Sequence, residues 1–425
     1  MENYGKSVYL LENQCKGCTN CIKHCPTQAI RVRNGKAVIK TDQCIDCGEC
    51  IRICPHHAKK AKRGFIDAIN NYQYTVALPA PSLYAQVNHL EDVNILLTAL
   101  KDMGFDDVYE VSAAAEIISE ESRKYVAEHK EQWPLISTAC PTIVRLIQMR
   151  FPNLVDNLLP LMTPAEMAAR QARMRAVERT GYDPEQIGIF FLSPCPSKVT
   201  AANSPIGHEK SEIDCVLAIK DIYPALVESM KEVASAPEEL AISGKIGISW
   251  GITGGEAGGL LSDSYVAADG IENVIHVLED LEDEKFSSDL EFIELNACNG
   301  GCVGGVMQVE NPFAAKAKLQ KLRKYLPVSA VHETKPYPVD PVWTRDVEYL
   351  PVFELAGNLK DRMDKMNQIQ ELCDKFPGLD CGCCGAPTCR CLAEDIVKGV
   401  ASETDCIHVL KDYLHKLSDN ISKIT

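Results

Sequence analysis

Residues 294–312 read E-L-N-A-C-N-G-G-C-V-G-G-V-M-Q-V-E-N-P. Cys298 and Cys302 stand four apart around Gly300-Gly301, with Gly304-Gly305 just beyond. Cysteines held by such a turn can converge on one soft metal centre, and the glycines admit positive φ and a close approach of backbone to something bulky. Taken alone, C-x3-C with glycines could equally be half of a zinc site. The apolar run E-F-I-E-L at 291–295 leads into the turn and suits a buried strand. So do T-V-A-L-P-A-P-S at 75–82, I-G-I-F-F-L at 187–192 and K-I-G-I-S-W at 245–250. With helical patterns at about 90–103 and 114–130, this alternation predicts an α/β fold with parallel sheets, whose sites lie beyond the carboxyl ends of strands. Cys298 follows one of these strands and Cys195 follows another.

Two further stretches weigh against zinc. S-T-A-C-P-T at 137–142 and L-S-P-C-P-S-K at 192–198 each offer one cysteine followed by proline. Together with 294–312 they resemble, in order, the three signatures of the iron-only (FeFe) hydrogenase active-site domain, over roughly residues 70–330. The glycine-rich G-I-T-G-G-E-A-G-G at 251–259 lacks both G-x-G-x-x-G and a Lys-Ser/Thr ending, which argues against a nucleotide site. It resembles the G-x-T-G-G stretch of the same domain.

Composition sets the outer limits. A chain of 425 residues accommodates two to four domains. A net charge of −15 argues against nucleic acid or an anionic membrane as partner. No apolar run spans a bilayer and no leader pattern opens the chain, so a soluble cytoplasmic protein is expected. Twenty cysteines without a secretion signal point to metal rather than disulfides.

Residues 15–25 and 44–54 repeat C-x2-C-x2-C-x3-C, each followed by proline. The repeat resembles a bacterial two-cluster ferredoxin, in which each fourth cysteine ligates the other cluster. That resemblance implies Cys15, Cys18, Cys21 and Cys54 on one 4Fe–4S cluster, and Cys44, Cys47, Cys50 and Cys25 on the other. His24, His56 and His57 then read as solvated or supporting residues, and Lys59-Lys60-Ala61-Lys62-Arg63-Gly64 as a basic segment closing the module. Near the other end, C-G-C-C-G-A-P-T-C at 381–389 with Cys406 resembles a small 4Fe–4S domain, implying Cys381, Cys384, Cys389 and Cys406 as ligands. Cys383 fills a variable slot and could compete. Cys373 and Cys391 stay unassigned, and Cys215, in the apolar run D-C-V-L-A-I, reads as a buried small hydrophobe.

Further local signals place helices. Thr163-Pro164-Ala165-Glu166 reads as a helix start and Gly181 as its stop. Pro141 suits a first helical turn after Cys140, and 313–325 a last helix of the central domain. A helix near 354–375 carries Leu359, Met363, Met366, Ile369 and Leu372 as an apolar packing stripe. The expected organisation is a two-cluster ferredoxin-like α+β domain at 1–68 and a hydrogenase domain at 69–330, with two lobes of parallel sheet around the active-site cluster. A Pro-marked linker at 331–350 and a mainly helical cluster domain at 351–425 complete it.

The hydrogenase resemblance implies that Cys140, Cys195, Cys298 and Cys302 hold a cubane, with Cys302 bridging to a di-iron unit that carries CO, cyanide and an azadithiolate. Lys198 matches the lysine that pairs with a cyanide. The reaction implied, 2H⁺ + 2e⁻ ⇌ H₂, needs an open metal, an electron wire and a proton route. The route departs from the family: Ala139 stands where active members carry a proton-donating cysteine, and Pro160 where a serine belongs. Glu121 matches the first carboxylate of the route. Ser193 and Asn296 replace two methionines beside the di-iron unit, and Ala201 replaces a glutamate. A retained cage with a damaged relay is similar to the sensory subgroup, which predicts a slow hydrogenase acting as an H₂ or redox sensor. A conventional hydrogenase with another proton route and a non-catalytic iron–sulfur assembly protein are the competing readings. No PAS, kinase or phosphatase pattern follows, so a signal would leave through a partner. The implied partners are H₂ and protons, a ferredoxin-like or other redox protein, a signalling protein and the hydrogenase maturation proteins; a homodimer stays open.

Overall fold

A computed structural model describes residues 6–330, 335–355 and 357–422. The chain divides into two compact units, one of residues 1–7, 45–48 and 61–350, the other of 8–44, 49–60 and 351–425.

The larger unit holds two parallel sheets. The first has four strands in the order Asp107–Val108, Tyr74–Pro79, Ile187–Ser193 and Cys215–Ala218. The second has three, Tyr265–Asp269, Phe292–Asn296 and Leu135–Ile136, with Phe292 opposite Tyr265 on one side and Leu135 on the other. Every residue of Ile187–Ser193 is buried, as its unbroken apolar run demands of a parallel strand covered on both faces. The helices at Val93–Asp102 and Val111–Glu128 match the patterns read at 90–103 and 114–130. Thr163 caps Pro164–Thr180 by accepting from Glu166 N, and Gly181 ends that helix at φ 70°. Glu166 does not return the bond to Thr163. Its carboxylate accepts instead from Ser211 Oγ at 2.7 Å and Glu212 N at 2.8 Å.

One element differs from expectation. K-I-G-I-S-W, expected as a strand, forms the helix Lys245–Ser249. A short buried apolar run has no periodicity to separate the two states. Gly247 decides the matter, because a Cβ there would lie 1.9 Å from Ser112 O; the bare backbone lets this helix lie on Val111–Glu128.

The smaller unit joins the N-terminal cysteine repeats to the C-terminal helices. Its hairpin Ile30–Arg33/Lys36–Ile39 turns on Asn34-Gly35, both at positive φ (51° and 72°), as a two-residue turn between twisted strands requires. Helices Leu359–Lys375, Cys389–Val397 and Ile407–Ser422 follow in the C-terminal part. Asn358 and Asp361 form a capping box that starts the first of these later than the pattern suggested. Of its apolar stripe, Ile369 and Leu372 are buried while Leu359, Met363 and Met366 are exposed.

Asp395, 1% exposed, accepts from Arg31 at 2.6 Å, Arg33 at 2.8 Å and Lys40 at 3.0 Å. Burial opposes its charge, but the Arg31 and Lys40 bonds outweigh that and hold its carboxyl below the usual aspartate range. Val32 N donates to Gly385 O at 2.8 Å beside this cluster. The first and last cysteine-rich segments therefore lie in one compact unit, each with its own apolar cluster.

Candidate active site

Three of the four expected cubane ligands sit just past the carboxyl end of a parallel strand. Leu135–Ile136 leads to Cys140, Ile187–Ser193 to Cys195 and Phe292–Asn296 to Cys298. Cys140 and Cys195 are each the N-cap of a helix whose first residue is proline, Pro141 or Pro196. Each helix therefore starts, with its partial positive end, at a cysteine. Cys302 is brought in by the glycine turn. A Cβ on Gly301 would lie 2.6 Å from Thr253 N, so only glycine fits between the two loops.

Lys198, on the helix Pro196–Asn203, places Nζ 3.8 Å from Cys302 Sγ. Burial works against its charge, yet Cys302, Cys195, Cys140 and Cys298, in that order, hold its pKa well above the ordinary lysine range. Cys302 is thus the sulfur bonded to the ammonium, and the other three act on it through their charge. Burial pushes the Cys302 thiol up to about 11 against the pull of Lys198, and raises Cys195 likewise. Among the described residues no three His, Cys, Asp or Glu side chains close on a single metal ion. Four part-buried soft donors near one cation fit a larger anionic iron–sulfur group, whose charge Lys198 would balance.

Ser193 is buried and braces the ligand loop, its Oγ donating to Cys195 O at 3.1 Å. Asn296 Nδ2 donates to Glu294 Oε1 at 2.8 Å. Ala201 lines a cavity with Lys198, Thr138 and Pro141. Pro160 offers only its carbonyl, to Trp343 N. Glu121 accepts from Lys124 one turn along the same helix at 2.7 Å.

The sequence reading missed two carboxyls. Glu256 and Glu294 are both buried; Ser137 Oγ donates to Glu256 Oε2 at 2.5 Å and accepts from Ala139 N at 3.3 Å. Burial first, then the facing Glu294 charge, pushes Glu256 up to about 8. Glu294 is raised by burial, against bonds from Ala257 N, Gly254 N and Asn296. The available signal was a glutamate inside each of two otherwise apolar or glycine-rich runs, T-G-G-E-A and F-I-E-L.

In the smaller unit, Cys15, Cys18, Cys21 and Cys54 line one cavity, the crossed set expected for the first ferredoxin-type cluster. Cys50 faces Cys44 and Cys25, and burial raises its thiol well above the usual range. Cys384 faces Cys381 and Cys406. Cys373 lies beside Cys389, and exposed Cys383 bonds Cys381, so both stay close to this set. Cys391 turns to Gln28, its Sγ donating to Oε1 at 2.8 Å. Cys215 is half-buried in its strand, its thiol raised to about 11 by burial and by Asp214. His24, His56 and His57 are exposed.

Comparison with known families agrees with this layout. The family of the C-terminal domain of the iron-only hydrogenase large subunit matches residues 73–265 and 256–306. A 4Fe-4S dicluster domain matches 7–55, and an Fe-S cluster family matches 376–408. Iron hydrogenase 1 of Clostridium pasteurianum is 24% identical over 395 residues, 76% of this chain and 69% of that one. The periplasmic Fe hydrogenase large subunit of Nitratidesulfovibrio vulgaris is 25% identical over 380 residues, 73% and 88% respectively. A solved FeFe-hydrogenase from Chlamydomonas reinhardtii aligns with TM-score 0.46 at 17% identity, over 62% of this chain and 87% of that one. No helix among the described residues is long and apolar enough to cross a membrane. With parallel sheets aiming cysteines at one lysine and family matches covering both the centre and the N-terminal repeats, this chain belongs to the iron-only hydrogenase family and carries an N-terminal ferredoxin-like module.

Proposed function

We propose that the chain is a slow FeFe hydrogenase used as an H₂ or redox sensor, passing electrons to a redox or signalling partner. One observation carries the reading: Lys198 bonds Cys302 and is acted on by Cys195, Cys140 and Cys298, while Ala139, beside Cys140, presents a methyl group that can neither hold nor pass a proton. Cys140, Cys195, Cys298 and Cys302 would hold the cubane, and Cys302 would bridge to the di-iron unit, which when bound supplies the site that makes or splits H₂. The remaining work falls to the chain itself. Lys198 would offer its positive charge to a cyanide of that unit. Ser193 and Asn296 keep the pocket polar, which shifts the potential and gas affinity of whatever the cysteines hold.

Protons would move through Glu256 and Ser137 rather than Glu121. Glu256, with its pKa at about 8, both keeps and yields a proton near neutrality, and Ser137 hands it as far as Ala139. There the chain of side-chain oxygens stops, which makes turnover slow without abolishing it. Glu256→Gln should lower H₂ turnover by about 10²-fold, the scale of losing one positioned acid. It also tests the buried carboxyl independently of activity. Native Glu256 binds its proton more tightly than the unfolded chain does, so between about pH 4.5 and 8 stability falls as pH rises. The glutamine variant should flatten that slope in denaturant titrations; an unchanged slope removes Glu256 from the route.

Function as a whole is tested by maturing the protein and recording infrared bands of CO and cyanide, iron content and H₂ evolution together. Four cysteine sets holding cubanes plus the di-iron unit predict about eighteen irons per chain. Bands with slow turnover support the sensor. Bands with vigorous turnover indicate a conventional hydrogenase, and absent bands an assembly-type relative.

A further inference from the structure

Along the sequence Lys59 opens a basic segment. In the structure it lies in the strand Lys59–Ala61 and is only 2% exposed. Its Nζ donates to Cys21 Sγ at 3.6 Å. A lysine is hidden this completely only when an anion compensates it. Here the bond is to the sulfur of Cys21, a member of the set that lines the Cys15, Cys18, Cys21, Cys54 cavity.

We propose that Lys59 sets the order of reduction potentials in the N-terminal cluster pair, making the cluster held by Cys15, Cys18, Cys21 and Cys54 the more easily reduced. This rests on the ligand sets proposed above. Reduction adds one negative charge to a group already anionic. A desolvated ammonium bonded to one of its sulfurs favours that added charge, since cluster charge and hydrogen bonds to sulfur set the potential. The same cluster adjoins the C-terminal cysteine loop. Gly382 lies against Lys23 and Ile22, next to Cys21, where a Cβ would come within 2.9 Å of Lys23 Cε. Lys23 Nζ also donates to Pro387 O at 3.3 Å. An electron held by the first cluster therefore waits beside the loop of Cys381 and Cys384, the exit toward a partner.

The test is an EPR-monitored redox titration of the full-length, iron-loaded protein, comparing wild type with Lys59→Met and Lys59→Arg at one pH. Cys18→Ser, at an exposed ligand position, assigns the signals to the two clusters. Lys59→Met should lower the equilibrium constant for reducing the first cluster about tenfold, a shift of ~59 mV to more negative potential for a one-electron couple. Lys59→Arg should keep most of the wild-type value, and the second cluster should move less than the first. Equal shifts of both clusters, or none, would overturn the proposal. Iron content near wild type with unmoved potentials defeats Lys59 alone, whereas loss of both ferredoxin-type signals in wild type defeats the ligand assignment beneath it.

Discussion

Cys302→Ser is expected to abolish H₂ chemistry while leaving the accessory clusters in place. Cys302 is the sulfur nearest Lys198, and its position depends on Gly301 passing Thr253 without a side chain. A serine hydroxyl keeps the shape but is a hard, poorly ionised donor that cannot join two iron centres. After maturation, the variant should lack the CO and cyanide infrared bands and evolve no measurable H₂. The EPR signals of the ferredoxin-type pair should persist, because their cysteines belong to another core. Wild-type bands in the variant would show that a different cysteine bridges.

Ala139→Cys should work in the opposite direction. The proposed route ends at Ser137 Oγ, 2.5 Å from Glu256 Oε2, and Ala139 is the next residue but one. A thiol at 139 would extend the route by one proton-carrying atom toward the four-cysteine site. Positioned acids and bases contribute about 10² to 10⁴-fold, roughly 3–5 kcal/mol of barrier. The gain should fall at the lower end, because Pro160 offers no hydroxyl and Asn296 is bound to Glu294. The measurement is H₂ evolution with excess chemical reductant at equal cofactor loading. An unchanged rate moves the bottleneck outward to Glu256 and Glu294; a wild-type rate as high as that of vigorous relatives ends the sensor reading.

Much of this site could be read from local spacing. A cysteine after an apolar run becomes a cysteine at a strand end, and a proline after it becomes the first turn of a helix. Those rules are short-range, so S-T-A-C-P, S-P-C-P and A-C-N-G-G-C announced themselves. What stayed hidden depended on partners far along the chain. K-I-G-I-S-W becomes a helix packed closely on Ser112, over 130 residues away. Glu256 looks like a solvated acid until Ser137 and Glu294 close around it, and Lys59 looks like surface charge until Cys21 meets it. Glu121 shows the converse. Its place along the chain suits a proton route, and what the structure adds is an exposed pairing with Lys124 that the spacing alone did not announce.

The carboxylate of Asp395 also orders events in time. Arg31, Arg33 and Lys40 leave the ribosome 364, 362 and 355 residues before it. At 5–20 residues per second that is a wait of about 20–70 s. Through that interval the hairpin carries three cations without the anion that buries them, and Val32 lacks the Gly385 carbonyl to which its amide donates. The hairpin is synthesised long before the helix that completes its burial. The cysteines of the N-terminal module pass through a period when iron can be delivered to an open, unfinished fold.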